Sequence, residues 1–174
     1  SVYLIAYLGT LAFAAHELAI TVESVSYMPG FGIAVAATAL VGHAVGACDK
    51  VALQKAARGS IEFALLFMGI FTLIFALLPY QIAAIFTNDP AIIALSGLLI
   101  RIAAIEQVGI ALCSVIGGIL KGAGDTRTPM VISTVYFWVY RLPLMYLFIQ
   151  VFGFPITYVW LIFVSDWLLR ALTF

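Results

Sequence analysis

Charge is scarce in this 174-residue chain. Only 9% of its residues are Asp, Glu, Lys or Arg, against roughly a quarter in ordinary soluble domains. Eight bases balance eight acids, so no basic excess points to nucleic acid and no acidic run marks a tail. Cysteine is nearly missing too. Cys48 and Cys113 stand far apart with no CxxC spacing, which leaves neither a disulfide framework nor a metal knot, and both read as free thiols. No charged start followed by a cleavage site is visible, so no signal peptide is recognised. What fills the space is apolar: 65% of residues are hydrophobic and the mean hydropathy is +1.19. A soluble domain of this size has too little interior to hide that surface. Soluble enzyme, disordered segment and nucleic-acid binder are excluded, and the solvent that fits is a lipid bilayer.

A spanning helix needs about 20 mostly apolar residues. Four polar or Pro/Gly breaks divide the chain: Asp49-Lys50, Asn88-Asp89-Pro90, Gly124 to Pro129 and Gly153-Phe154-Pro155. They predict spans over 14–45, 61–86, 91–120, 130–152 and 156–174. The apolar stretch Val2 to Leu8 is too short to cross and reads as the tail of a truncated helix, so the chain reads as a fragment of a longer protein. Every backbone N–H must be satisfied inside lipid, and strands of a barrel would alternate apolar and polar residues. The expected fold is therefore an all-α integral membrane protein, a polytopic bundle of about five full transmembrane helices plus the truncated one.

Pro90, Pro129 and Pro155 open helices, where a missing N–H does no harm. Pro29 and Pro143 fall inside spans and should kink them, with Pro29-Gly30 the marked break in the first. Lys50, Lys55, Arg58, Lys121 and Arg127 occupy the first and third connections, and the second and fourth carry no base. This alternation places loops 46–60 and 121–128 in the cytoplasm. An internal echo joins the two basic sides: Gly42 to Asp49 and Gly118 to Asp125 both read G-x-x-x-G-A-x-D. The glycines permit close helix approach, and each Asp can cap the next helix or turn.

Ionisable residues within a span are costly and are functional candidates by default. Glu106, Arg141 and Asp166 fall near the middle of three successive spans. Two acids and one base cannot all pair. Either Arg141 pairs with Asp166 or Glu106 merely to fix packing, or one acid is left to bind a proton or a cation. Glu106 is favoured for that task, because Asp166 has Arg170 one turn on. Glu17 and Glu23 precede the Pro29 break. Glu17 lies near the outer boundary, and Glu23 is deeper and better placed to line a cavity. His16 is expected at the interface in a structural role. Gly122-Ala123-Gly124-Asp125 matches the G-x-G-D of intramembrane aspartyl proteases, but no Tyr-Asp partner occurs and Asp125 sits in a loop. No enzymatic constellation appears.

Several stretches carry a resemblance. They are Leu8-Gly9-Thr10 with Ala14-Ala15-His16, Pro29 to Gly32, Val41-Gly42 with Gly46-Ala47, Gly117 to Arg127, Arg141-Leu142-Pro143, and Asp166 with Arg170. Together they resemble the carboxy-terminal half of a multidrug and toxic compound extrusion (MATE) transporter, in the subgroup of DNA-damage-inducible protein F homologues. The resemblance implies the second lobe of a twelve-helix fold over residues 1–174. It implies export of organic, often cationic, compounds in exchange for H+ or Na+, with no other cofactor. The family's acidic position on its tenth helix matches Glu106, where Na+ could bind, and one near the start of its eighth matches Glu17. The missing amino-terminal lobe would be the principal partner, within membrane lipid. His43 departs from the Gln that relatives show after Val-Gly. Two alternatives are a lipid-linked saccharide flippase, which should line its cavity with bases, and a non-transporting membrane scaffold, which would not need three charged groups at mid-depth.

Overall fold

The computed structural model describes Ile5 and residues 9–174, so most of the expected truncated helix lies outside the described residues. Nearly everything described is helical. α1 is Thr10–Gly46, α2 is Lys50–Leu77, α3 is Pro79–Phe86 and α4 is Pro90–Gly122. The fourth span, Arg127–Val151, is composite. It runs through α5 (Arg127–Val135), a wide-turn π stretch (Tyr136–Arg141), α6 (Leu142–Tyr146) and a second π stretch (Leu147–Val151). α7 is Ile156–Thr173. Five helices are long and apolar enough to cross a membrane.

The boundaries differ from the sequence expectation in instructive ways. α2 begins at Lys50 rather than near Ile61, because the Asp49 carboxylate accepts from the N–H groups of Val51 and Ala52 at 2.9 Å and starts the helix in the basic loop. The stretch expected as one span to 86 divides at Leu78, which leaves helical geometry (φ −123°, ψ 32°) before Pro79 opens α3. Asp89 caps α4 through Ala91 N–H at 2.8 Å. At Pro29 the expected break is absent. α1 stays helical across it, and Gly30 lies against the Met68 sulfur of α2, where a Cβ would come within 3.3 Å. Gly30 therefore serves packing. At Pro143 the backbone does depart from α geometry, with π stretches on both sides.

α4 is the central helix, packed on α1, α2, α3 and α7. Besides His16, the buried positions of α1 run Ala15, Ala19, Val22, Ser26, Gly30, Ala34, Ala37, Val41 and Ala44, a stripe of small residues at steps of three and four. With no hydrophobic drive between helices in lipid, such stripes let backbones approach until dispersion and polar contacts hold them. Gly118 and Gly122 of α4 sit so close that a Cβ on either would strike a backbone carbonyl of α1, that of Ala34 or Thr38. The Thr38 hydroxyl donates to the Gly118 carbonyl at 2.9 Å.

The echo is structural. Both helix ends close with the same hydrogen bonds: Ala47 to His43, Cys48 to Val45 and Asp49 to Ala44, then Ala123 to Ile119, Gly124 to Lys121 and Asp125 to Leu120. The last two of each set form a Schellman end, with Cys48 (φ 54°) and Gly124 (φ 94°) in the left-handed position. Asp125 then accepts from Arg127 N–H, Thr128 N–H and the Thr128 hydroxyl, the last at 2.6 Å.

Candidate functional site

Two apolar clusters fill the bundle. One gathers Ala19, Val22, Leu99, Ala103, Met145 and Trp160, and the other Ala34, Ala37, Met68, Ile110 and Val115. Between these clusters α1, α4 and α7 each contribute buried or half-buried polar residues. The layer holds Glu23 and Ser26, Glu106 and Gln107, and Asp166, with Arg141 reaching in from the fourth span.

Asp166 is fully buried and takes both nearby bases. Arg170 Nη2 donates to its Oδ2 at 2.7 Å, and Arg141 Nη1 lies 3.6 Å from the same oxygen. Arg141 also caps the Phe163 ring, its guanidinium carbon 3.8 Å from the centroid. Glu106 is 1% exposed, and its Oε2 has no hydrogen-bond partner among the described residues. Glu23 of α1 is half-buried, and its carboxyl lies within hydrogen-bonding reach of the Glu106 carboxyl. Two carboxyls so placed cannot both carry full charge comfortably. They can share one proton or hold one small cation between them.

Sequence reasoning passed over Gln107 and Ser26, and it expected His16 elsewhere. Gln107 is fully buried and accepts from the Ser26 hydroxyl at 2.9 Å, while its Nε2 is unpartnered. His16, expected at the interface, is 1% exposed. It meets Trp160 edge-on at 5.7 Å and Phe163 at 6.4 Å, and its Nδ1 has no partner. The Phe163 ring therefore carries Arg141 on its face and His16 beside it. The spacing Ser26–Glu23 on α1 and the adjacency Glu106–Gln107 on α4 were visible signals for a polar layer. The His16 position was not, because its burial depends on aromatic residues in α7.

Other candidates lie apart. Glu17 is exposed on α1, with its backbone carbonyl accepting from Thr21. Glu62 pairs with Arg58 at 2.7 Å, both exposed. Among the described residues no group of three or more His, Cys, Asp or Glu is arranged for a metal ion. The two carboxyls of Glu106 and Glu23 offer only oxygen, which suits a hard cation or a proton better than a soft transition metal.

Residues 1–147 match the MatE family. Over 163 residues the chain is 36% identical to the probable multidrug resistance protein NorM of Thermotoga maritima, which covers 94% of this chain and 35% of that protein. It is 35% identical over 141 residues to the probable NorM of Xanthomonas campestris, covering 81% of this chain and 31% of that one. The chain thus spans about a third of the length of these curated relatives. A solved structure of a MATE protein in complex with MaD3S superposes with a TM-score of 0.91 at 20% identity, covering 98% of this chain and 38% of that chain. A MOP superfamily transporter from Pyrococcus furiosus, described as having a binding pocket of reverse polarity, gives 0.90 at 19% identity, covering 99% and 38%. At such identities the superpositions establish a shared fold.

Proposed function

The chain belongs to the MatE family, and from that membership we propose that it forms the carboxy-terminal lobe of a secondary antiporter that exports organic, often cationic, compounds in exchange for H+ or Na+. The relatives bear the names of multidrug resistance proteins, and five membrane-crossing helices put the chain in the bilayer as a multi-pass protein. The basic loops 46–60 and 121–128 face the cytoplasm in this reading. An amino-terminal lobe supplies the other half of the path.

The observation that carries the reading is the division of labour in the polar layer. Asp166 is held by two arginines, whereas Glu106, equally buried, is left with an unpartnered oxygen beside Glu23. A buried ionisable group inside a membrane is tolerated where it does work. Protonation or cation binding at the Glu106–Glu23 pair removes the repulsion between the two carboxyls, so it favours whichever packing of α1, α4 and α7 brings them together. A ligand shifts two states only through such a difference in affinity. Glu17, exposed and six residues before Glu23 on α1, is assigned a secondary part at the outer end of α1, and Pro29 and Pro143 mark where the helices adjust.

The test is dye efflux from pump-deficient cells that express the full-length protein, with the H+ and Na+ gradients collapsed separately. Loss of efflux with one gradient names the coupling ion. Glu106→Gln is expected to abolish or uncouple transport at unchanged expression. Normal efflux by that variant removes Glu106 from the coupling role.

A further inference from the structure

Next to the polar layer, on the side of the basic loops that the proposed topology makes cytoplasmic, α1, α4, α5 and α7 enclose a half-open cavity of about 910 Å³, within the roughly 300–1,000 Å³ usual for small-molecule sites. Its lining is one-signed. Lys121 and Arg170 contribute bases, Ser114, Thr126, Ser133 and Thr134 contribute hydroxyls, and no lining residue is an acid. Arg170 is 7% exposed, and although one of its Nη atoms binds Asp166, its Nε has no partner. The nearest loop acid, Asp125, is already engaged in capping α5. Lys121 forms no ion pair among the described residues. A cation would meet two bases and no carboxylate here. The rim is apolar, with Phe31, Val35 and Met130 more than half exposed.

We propose that this cavity binds the phosphate headgroup of an anionic phospholipid from the cytoplasmic leaflet. The headgroup accepts from Lys121 and the wall hydroxyls beside the Arg170 guanidinium, and an acyl chain leaves past Phe31, Val35 and Met130. Basic pockets between transmembrane helices on the cytoplasmic side suit such headgroups. The apolar rim decides between the two sources of phosphate, because a free anion would have to cross it, whereas a lipid lays its chain along it.

The test uses delipidated full-length protein in a neutral detergent. Phosphatidylglycerol, phosphatidylcholine and inorganic phosphate are added separately while thermal unfolding is followed, since a ligand that binds only the folded state raises Tm. Phosphatidylglycerol is expected to raise Tm and phosphatidylcholine and phosphate to leave it unchanged. Lys121→Gln should weaken the apparent lipid affinity on the order of tenfold, the effect of one charge-assisted hydrogen bond. Met130→Trp, which narrows the mouth, should remove the shift. Arg58→Gln, on the same membrane face but outside the cavity, should keep it. Equal shifts with both lipids, or a shift unaltered in both Lys121→Gln and Met130→Trp, would overturn the proposal. A shift with phosphate alone would reassign the cavity to a free anion.

Discussion

Cys48 holds a left-handed backbone angle, φ 54°, at the position where the matching turn carries Gly124 at 94°. A side chain in that region costs roughly 1–2 kcal/mol, and glycine gives part of this back as unfolded-state entropy. Cys48→Gly is therefore expected to stabilise the fold by about 0.5–1 kcal/mol, and Gly124→Ala to destabilise it by about 1 kcal/mol. Unfolding in mixed detergent, read by circular dichroism, checks both. Asp125 in the same loop makes a pH prediction. The Thr128 hydroxyl and the N–H groups of Thr128 and Arg127 hold its carboxyl below the usual value. Its contribution is complete above the ordinary carboxylate range, near pH 4, and disappears as the pH falls through the lowered value. Asp125→Asn should flatten the acid limb of the stability profile and leave the neutral region little changed. A limb as steep as that of the parent would show that other acids set it.

At the scale of elements, the α1–α4 contact is the seam on which the bundle depends. Gly118→Ala and Gly122→Ala each push a methyl into a backbone carbonyl of α1, which has no side chain to swing aside. Overpacking of this kind costs about 1–3 kcal/mol. Gly59→Ala, whose Cβ would meet nothing, is the control, and the difference in unfolding midpoint is the readout. Much of this layer was legible in the sequence. Hydropathy and the basic loops showed that there were five crossings, because length and charge are local properties. The twin Gly-to-Asp motifs announced both the close approach and the caps. The helix starts were less legible, since Asp49 draws α2 far back into polar sequence, a choice made by a cap rather than by hydrophobicity. The Pro29 break was misjudged for a similar reason. α1 remains helical through Pro29 with Gly30 packed on Met68, and a single sequence does not display its neighbours. In the site, the three mid-depth charges could be counted from the ends of their spans. The partners could not. Which acid Arg141 approaches, and that His16 is buried against Trp160, depends on how three helices are rotated.

For the whole molecule, the polar layer divides two apolar clusters, so its state sets how the two halves of the bundle fit together. Replacing Asp166 with Asn strands Arg141 and Arg170 in a buried site, and leaving a buried charge without its partner costs about 3–5 kcal/mol. Its yield in the membrane should fall sharply, whereas Glu106→Gln should be produced normally, and quantitative immunoblotting of membranes separates the two. The fourth span adds something the pairings alone do not. A π turn houses one residue more than an α turn, and this span carries two such stretches, Tyr136–Arg141 and Leu147–Val151. The surplus residue can be handed along the chain like slack along a rope, with the helix never uncoiling. Every residue handed over turns the remainder of the span through about 100°. Arg141 stands where the first stretch of slack ends, so a shift of one residue there would turn its guanidinium relative to Asp166.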